Sequence, residues 1–235
     1  MSESQVSTEV SVDTAEAKGL SLRERVTGNT NAVIIAVVLV LLTIAGVTYY
    51  RSAKAEKEAE ASLALSRIMP YVEAGDMQKA LQGDPVKKVR GNDVMGLKEI
   101  VETYGSTEAG KTAALHAALA SLALKNPSEA ENYFDIASGS SSAYVVANAQ
   151  AGTASVKEMN QDFAGAASLY EKAIAASEKS GNKDKYEYYA ALCFEKAGDK
   201  ENARKMYENL LAEFEFSEFA GEAKAGLTRL GIVVD

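Results

Sequence analysis

The feature that most constrains the fold is a pattern of small and aromatic residues that returns along the C-terminal half of the chain. Ala130, Phe134 and Ala137 recur as Ala166, Tyr170 and Ala173, and again as Ala203, Tyr207 and Leu210, in steps of 36 and then 37 residues. A second match agrees: the Ala109-Gly110 pair, with Ser106 ahead of it, returns as Ala220-Gly221 with Ser217, an offset of 111, three times 37. Residues three and four apart share one face of a helix. A repeat of this length with no strand signal predicts a stack of helical hairpins, each unable to bury its apolar stripe alone. Composition points the same way, with 40 alanines against 3 prolines, because Ala loses least on entering a helix and Pro costs most. The expected fold class is all-α.

The N-terminal part has a different character. No charged residue lies between Arg25 and Arg51, and the stretch from Ala32 to Val47 is almost purely Val, Ile, Leu and Ala. At about 1.5 Å per residue, Ala32 to Tyr50 reaches roughly 28 Å, close to the hydrocarbon thickness of a bilayer. Tyr49 and Tyr50 then meet Arg51, the order expected where a helix leaves lipid for headgroups. The expected organisation is a disordered tail over 1–30, a transmembrane helix over 31–50, a helical stalk and loop over 51–93, and the repeat domain over 94–235. Pro70 is expected to end or kink the stalk. Gln82 to Asp93, with Pro85 and two glycines, reads as a loop whose Lys87, Lys88 and Arg90 are solvated surface. Basic residues balance across the span, with Lys18, Arg23 and Arg25 before it and Arg51, Lys54 and Lys57 after it. The orientation with a cytoplasmic tail and an external C-terminal domain rests on the behaviour of single N-terminal spans.

The third unit shows the mechanics of the repeat. Lys185 to Lys196 forms one helix, Ala197-Gly198-Asp199 the turn, and Glu201 to Phe214 the returning helix, with small Ala191 and Ala203 letting the two approach. The order Ala191, Phe194, Gly198, Ala203, Tyr207, Leu210 resembles a tetratricopeptide repeat, and three copies carry it. The copies depart from that family's pattern. None has its tryptophan or closing proline, and the period exceeds 34 residues. In the second unit Gly152 sits one residue out of register, which implies an insertion near Met159 to Gln161; in the first, Asn126-Pro127 replaces the turn glycine. Gly75-Asp76 to Ala80 mimics Gly198-Asp199 to Ala203 and suggests a further partial unit.

Tail, span, stalk and degenerate repeats together resemble the bacterial envelope proteins related to the ancillary subunit of the Sec translocon. Stretches such as Thr103 to Leu115 and Tyr207 to Leu227 also resemble the periplasmic tetratricopeptide proteins of the Tol-Pal and outer-membrane assembly systems. The resemblance implies an inner-membrane protein with a periplasmic C-terminal domain. Its work would be that of a scaffold or chaperone-like factor for envelope proteins or secreted chains near the translocon, or of a fixed structural subunit of a membrane complex. By the family's positions, the partner-binding groove is lined by Lys185, Tyr188, Leu192 and Glu195 in the third unit and by Leu115, Leu119 and Leu122 in the first.

Chemistry is sparse. A net charge of −8 argues against nucleic-acid binding. One cysteine and one histidine exclude an intramolecular disulfide and a Cys/His zinc cluster. His116 and Cys193, both on apolar helices, read as packing residues, so the expectation is no catalytic residue, no metal and no cofactor. The one formal motif is Gly105 to Thr112 (GSTEAGKT), which matches G-x-x-x-x-G-K-[ST]. That motif cradles phosphate only between a buried strand and a helix N-terminus, and the preceding LKEIVETY has a helical pattern. Nucleotide binding there stands as a remote alternative.

Overall fold

The computed structural model describes residues 30–89, 91–178 and 181–233; the expected tail before Thr30, and Arg90, lie outside them. The described residues form α1 (Thr30–Glu73), α2 (Met77–Gln82), β1 (Gly83–Val89), β2 (Asn92–Met95), α3 (Leu97–Tyr104), α4 (Glu108–Ala123), α5 (Pro127–Ser138), α6 (Ala143–Met159), α7 (Phe163–Ser177), α8 (Lys183–Ala197), α9 (Lys200–Glu213) and α10 (Ala220–Arg229). The described residues are all-α apart from one small hairpin. The chain divides into two compact units, Met1–Ser52 and Ala53–Asp235.

In the first unit the opening turns of α1 are apolar on every side. Ile34, Leu39, Leu42 and Ile44 are each more than half exposed, and the most apolar 18-residue window has a mean hydropathy of 2.5 with none of it buried. This helix is long and apolar enough to cross a membrane.

In the second unit α1 continues as far as Glu73, so Pro70 does not end it. Pro70 costs one backbone hydrogen bond, to the Ser66 carbonyl, but it lies in the last turn and its neighbours are anchored. Ile68 is fully buried, and the Tyr71 hydroxyl donates to Asp84 Oδ2 at 2.6 Å. Tertiary contacts therefore outweigh the proline. Ala64 and Ile68 join Leu97, Ile100 and Ala113 in one core cluster.

Gln82 to Asp93 is not a loop: β1 and β2 pair antiparallel, with Gly83 opposite Met95 and Val89 opposite Asn92. The strand signal was hidden by a register shift between Asp84 and Lys88. There the Asp84 carboxylate accepts the Val86 and Lys87 N–H groups at 3.1 and 3.2 Å, a side-chain turn of the type that breaks alternation. A Cβ on Gly83 would fall 2.5 Å from the Val94 carbonyl oxygen, so only glycine lets the hairpin leave α2. Lys87 lies over the Tyr71 ring, 5.2 Å from its centroid, and Lys88 pairs with Asp93 at 3.6 Å.

The hairpins α4/α5, α6/α7 and α8/α9 follow, each helix packing on its sequence neighbours, with α10 as a terminal helix against α9. One turn recurs within them and in the partial unit at Gly75. Asp76, Asn126, Asp162 and Asp199 donate their N–H groups to Tyr71, Ser121, Lys157 and Phe194, and the residue before each donates to the carbonyl three back. This is the Schellman pattern that closes a helix C-terminus. Its left-handed position is held by Gly75, Lys125, Gln161 and Gly198, with φ of 74°, 61°, 61° and 85°. Asp76, Asp162 and Asp199 then cap the next helix, each accepting an N–H three residues on. The second turn thus has the length of the third, and no insertion exists near Met159 to Gln161. Ala154, fully buried, occupies the place of Ala191. Gly152 answers to Tyr189 and has a different task.

That task is to receive an aromatic ring. Phe134, Tyr170 and Tyr207 are 0%, 3% and 0% exposed. A Cβ on Gly152 would sit 2.1 Å from Phe134 Cζ, and one on Gly226 would sit 2.4 Å from Tyr207 Cζ. Between these two junctions Tyr170 stacks on Tyr189 at 5.7 Å. Each hairpin is keyed to the next through this ring. The two tyrosines also anchor their tips: Tyr170 Oη donates to Glu158 at 2.8 Å and Tyr207 Oη to Glu195 at 3.0 Å, carboxylates 37 residues apart. In the first hairpin, Leu122 and Phe134 replace the pair with apolar side chains.

Candidate functional site

The first helices of the three hairpins, α4, α6 and α8, enclose a cleft of about 290 Å³. Leu119 and Leu122 line it from α4; Asn148, Ala151, Gly152, Ser155 and Glu158 from α6; Tyr170 from α7; and Lys185, Tyr186 and Tyr189 from α8. Leu119 is 48% exposed, an apolar side chain left open by the helix spacing. Ser155 and Glu158 serve the Tyr170 hydroxyl, at 3.2 and 2.8 Å, and burial with the Glu158 bond raises that phenol well above its ordinary range. The tyrosine is therefore a neutral hydrogen-bonding wall. Lys196 reaches Glu158 at 3.5 Å, and among the described lining residues Lys185 is the cation, exposed at the rim. A cleft with Leu and Tyr walls and a few polar groups suits an apolar side chain presented by a polypeptide.

Of the residues expected to form the groove, the structure brings together Leu119, Leu122 and Lys185. Leu115 is 3% exposed and belongs to the core under α4. Tyr188 faces the other way: it stacks on Phe219 at 5.1 Å and tilts against Tyr207 at 6.4 Å. Leu192 packs half-buried against a separate buried cluster that includes Ala190, Cys193 and Tyr207. Glu195 is engaged by the Arg229 guanidinium with two hydrogen bonds of 2.9 Å and by Tyr207, which hold its carboxyl below the usual range. These residues seal α8 to α9 and α10. The α6 face of the cleft is not legible while Gly152 is taken as one residue out of register. Counting back from Asp162 as from Asp199 would have placed Gly152 beside Tyr189.

Gly105 to Thr112 forms no phosphate cradle. The segment before it is helix α3, and the amides at the start of α4 are already taken. Glu58 Oε2 and Oε1 accept the N–H groups of Glu108 and Ala109 at 2.8 Å each, and Thr107 Oγ1 accepts that of Gly110 at 3.0 Å. Lys111 pairs with Glu108 at 2.8 Å. That bond, with those from Ser140 and Ser141, brings the Glu108 carboxyl down to about 2. The anion at this helix N-terminus is the protein's own carboxylate, which fastens the stalk to the first hairpin.

His116 is half-buried, and desolvation lowers its pKa. Cys193 is fully buried, and desolvation lifts its thiol to about 12, far from a reactive thiolate at neutral pH. Among the described residues no group of three or more His, Cys, Asp or Glu could hold a metal.

The order of helices, the recurring turn and the ring-on-small-residue junctions are those of stacked helix-turn-helix repeats. A family model of the tetratricopeptide repeat-like domain matches residues 26–224. The chain belongs to this family. No curated protein matches it, and no solved structure does. A tetratricopeptide-like domain is a protein–protein interaction module.

Proposed function

We propose that the protein is a single-span, inner-membrane-anchored interaction module of the bacterial envelope. Its repeat domain would lie on the periplasmic side and hold apolar segments of envelope proteins or secreted chains, near the translocon, as a scaffold or chaperone-like factor. The observation that carries this reading is the cleft. Three successive hairpins contribute to it, its walls are Leu and Tyr, and Leu119 stands open in it. Such a surface accepts apolar side chains without a strict sequence, because tyrosine offers contact area at little entropic cost and a hydroxyl for the peptide backbone. The exposed apolar start of α1 supports the anchor.

Leu119→Asp combined with Lys185→Glu, two exposed residues of the cleft wall, tests the docking role. The pair should reduce photocrosslinking of the full-length protein to its partners in intact cells at least tenfold, with the melting temperature of the domain close to that of the parent. Unchanged crosslinking would remove the cleft from the account. Stoichiometric co-purification with one membrane complex through detergent would favour a fixed subunit over a factor with many transient clients.

A further inference from the structure

Glu187 lies on α8 between Tyr186, which lines the cleft, and Tyr188, which stacks on Phe219. It is 2% exposed, and its Oε2 has no hydrogen-bond partner. Among the described residues its nearest cation is Lys183, one turn earlier, with Nζ 3.8 Å from Oε1. That lysine is already bonded to Glu213 at the end of α9. Asp184 on α8 and Glu213 on α9 add negative charge around Glu187, and Glu178, past the end of α7, also acts on Lys183. Asp184 is itself tied to the loop before α10 by the Ser217 hydroxyl at 2.6 Å. Among the described residues the site thus holds one shared cation and four carboxylates, with one carboxylate out of water and half-satisfied. An ionised carboxylate in that position is costly, and a neutral carboxyl much less so.

We propose that Glu187 is a pH-sensitive latch for the third hairpin: protonated, it lets the start of α8 seat against the end of α9; ionised, it favours parting them to admit water. Burial is the leading cause that raises the carboxyl to about 7, and the Lys183 charge only partly opposes it. Because the folded value lies above the ordinary one of about 4.5, the folded state binds more protons than the unfolded state between these two values. The stability contributed by the protonated group is complete below about 4.5 and lost as pH rises through about 7. His116 works in the opposite sense, since burial lowers its pKa. The total pH profile therefore understates Glu187, and comparison of parent and variant isolates it. Lys185, Tyr186 and Tyr189 lie on the same stretch of α8, so opening the latch would widen the docking cleft. That consequence rests on the proposed function, whereas the latch itself does not.

The test uses the full-length protein in detergent micelles, with no partner present, so its outcome is independent of the docking role. Thermal unfolding and amide hydrogen exchange along α8, corrected for intrinsic rates, are followed from pH 5 to 8.5 for the parent and for Glu187→Gln. The expected result is a folding constant of the variant that gains on the parent by roughly fifty- to a hundredfold across that range. Amides of 183–189 should lose protection above pH 7 in the parent alone. Parallel profiles for the two proteins would overturn the latch. If the variant does not fold, the Glu187 carboxyl carbon is titrated by NMR in the parent: a midpoint near 7 supports the latch, and one near 4.5 overturns it.

Discussion

Replacing Gly152 by Ala probes the junction that sets the repeat. A glycine inside a helix ordinarily costs about 1 kcal/mol relative to alanine, so an idle Gly152 would make the substitution stabilising. The structure predicts the reverse. The new methyl would lie 2.1 and 2.2 Å from two carbons of the Phe134 ring, where an ordinary carbon contact needs about 3.5 Å or more. The ring would have to retreat by more than 1 Å, and Phe134 has no exposed surface to retreat into. Overpacking of this kind costs about 1–3 kcal/mol, occasionally more. A contact this close takes the upper part of that range, about 2–3 kcal/mol, so the net loss after the propensity gain is about 1–2 kcal/mol, or roughly 2–8 °C in melting temperature for a domain of this size. Circular dichroism melting of the purified protein measures it. A second variant, Phe134→Leu, should lose stability alone yet recover part of the loss when combined with Gly152→Ala, giving a coupling on the order of 1 kcal/mol. Gly152→Ala melting at or above the parent temperature, with no coupling to Phe134, would refute the keyed junction.

Three further outcomes follow from the same geometry. Glu58→Ala leaves the Glu108 and Ala109 amides without their acceptor and should lower stability by about 1–2 kcal/mol, with faster hydrogen exchange at the start of α4 as the local readout. Lys125→Gly relieves a left-handed backbone at φ 61° and should raise the melting temperature, by up to about 1 kcal/mol of stability; destabilisation would contradict the turn assignment. The Glu108 carboxyl, held down to about 2 chiefly by Lys111, contributes stability that is present above about 4.5 and lost as pH falls through about 2. Acid unfolding of Glu108→Gln should accordingly be shallower than that of the parent.

The sequence carried the stack because its evidence was redundant: a small residue, an aromatic and a second small or apolar residue at one step, three times over. Each of those nine positions is buried in the structure. The features that escaped it depend on single residues acting at a distance. Pro70 reads as a helix end until Ile68 and Tyr71 are seen to be held from outside. The β1–β2 hairpin lacks alternation because Asp84 folds its own backbone into a turn. The cleft was only half legible. Leu119, Leu122 and Lys185 follow from family positions, whereas the tyrosines of α8 could not be divided by periodicity between the face toward α6 and the face toward α10. Tyr186 and Tyr189 line the cleft, while Tyr188, between them in sequence, stacks on Phe219, which the Tyr189 ring also approaches at 6.1 Å. Which neighbour each ring meets is a property of the packed helices.

The account depends most directly on where a partner touches the repeat domain. A photoreactive amino acid placed at Leu119, inside the cleft, and at Glu171, exposed on the second helix α7, compares the two sides of the stack in intact cells. The account predicts strong, saturable adducts from position 119 and only background from position 171. Equal labelling from the two positions, or adducts from 171 alone, would contradict it.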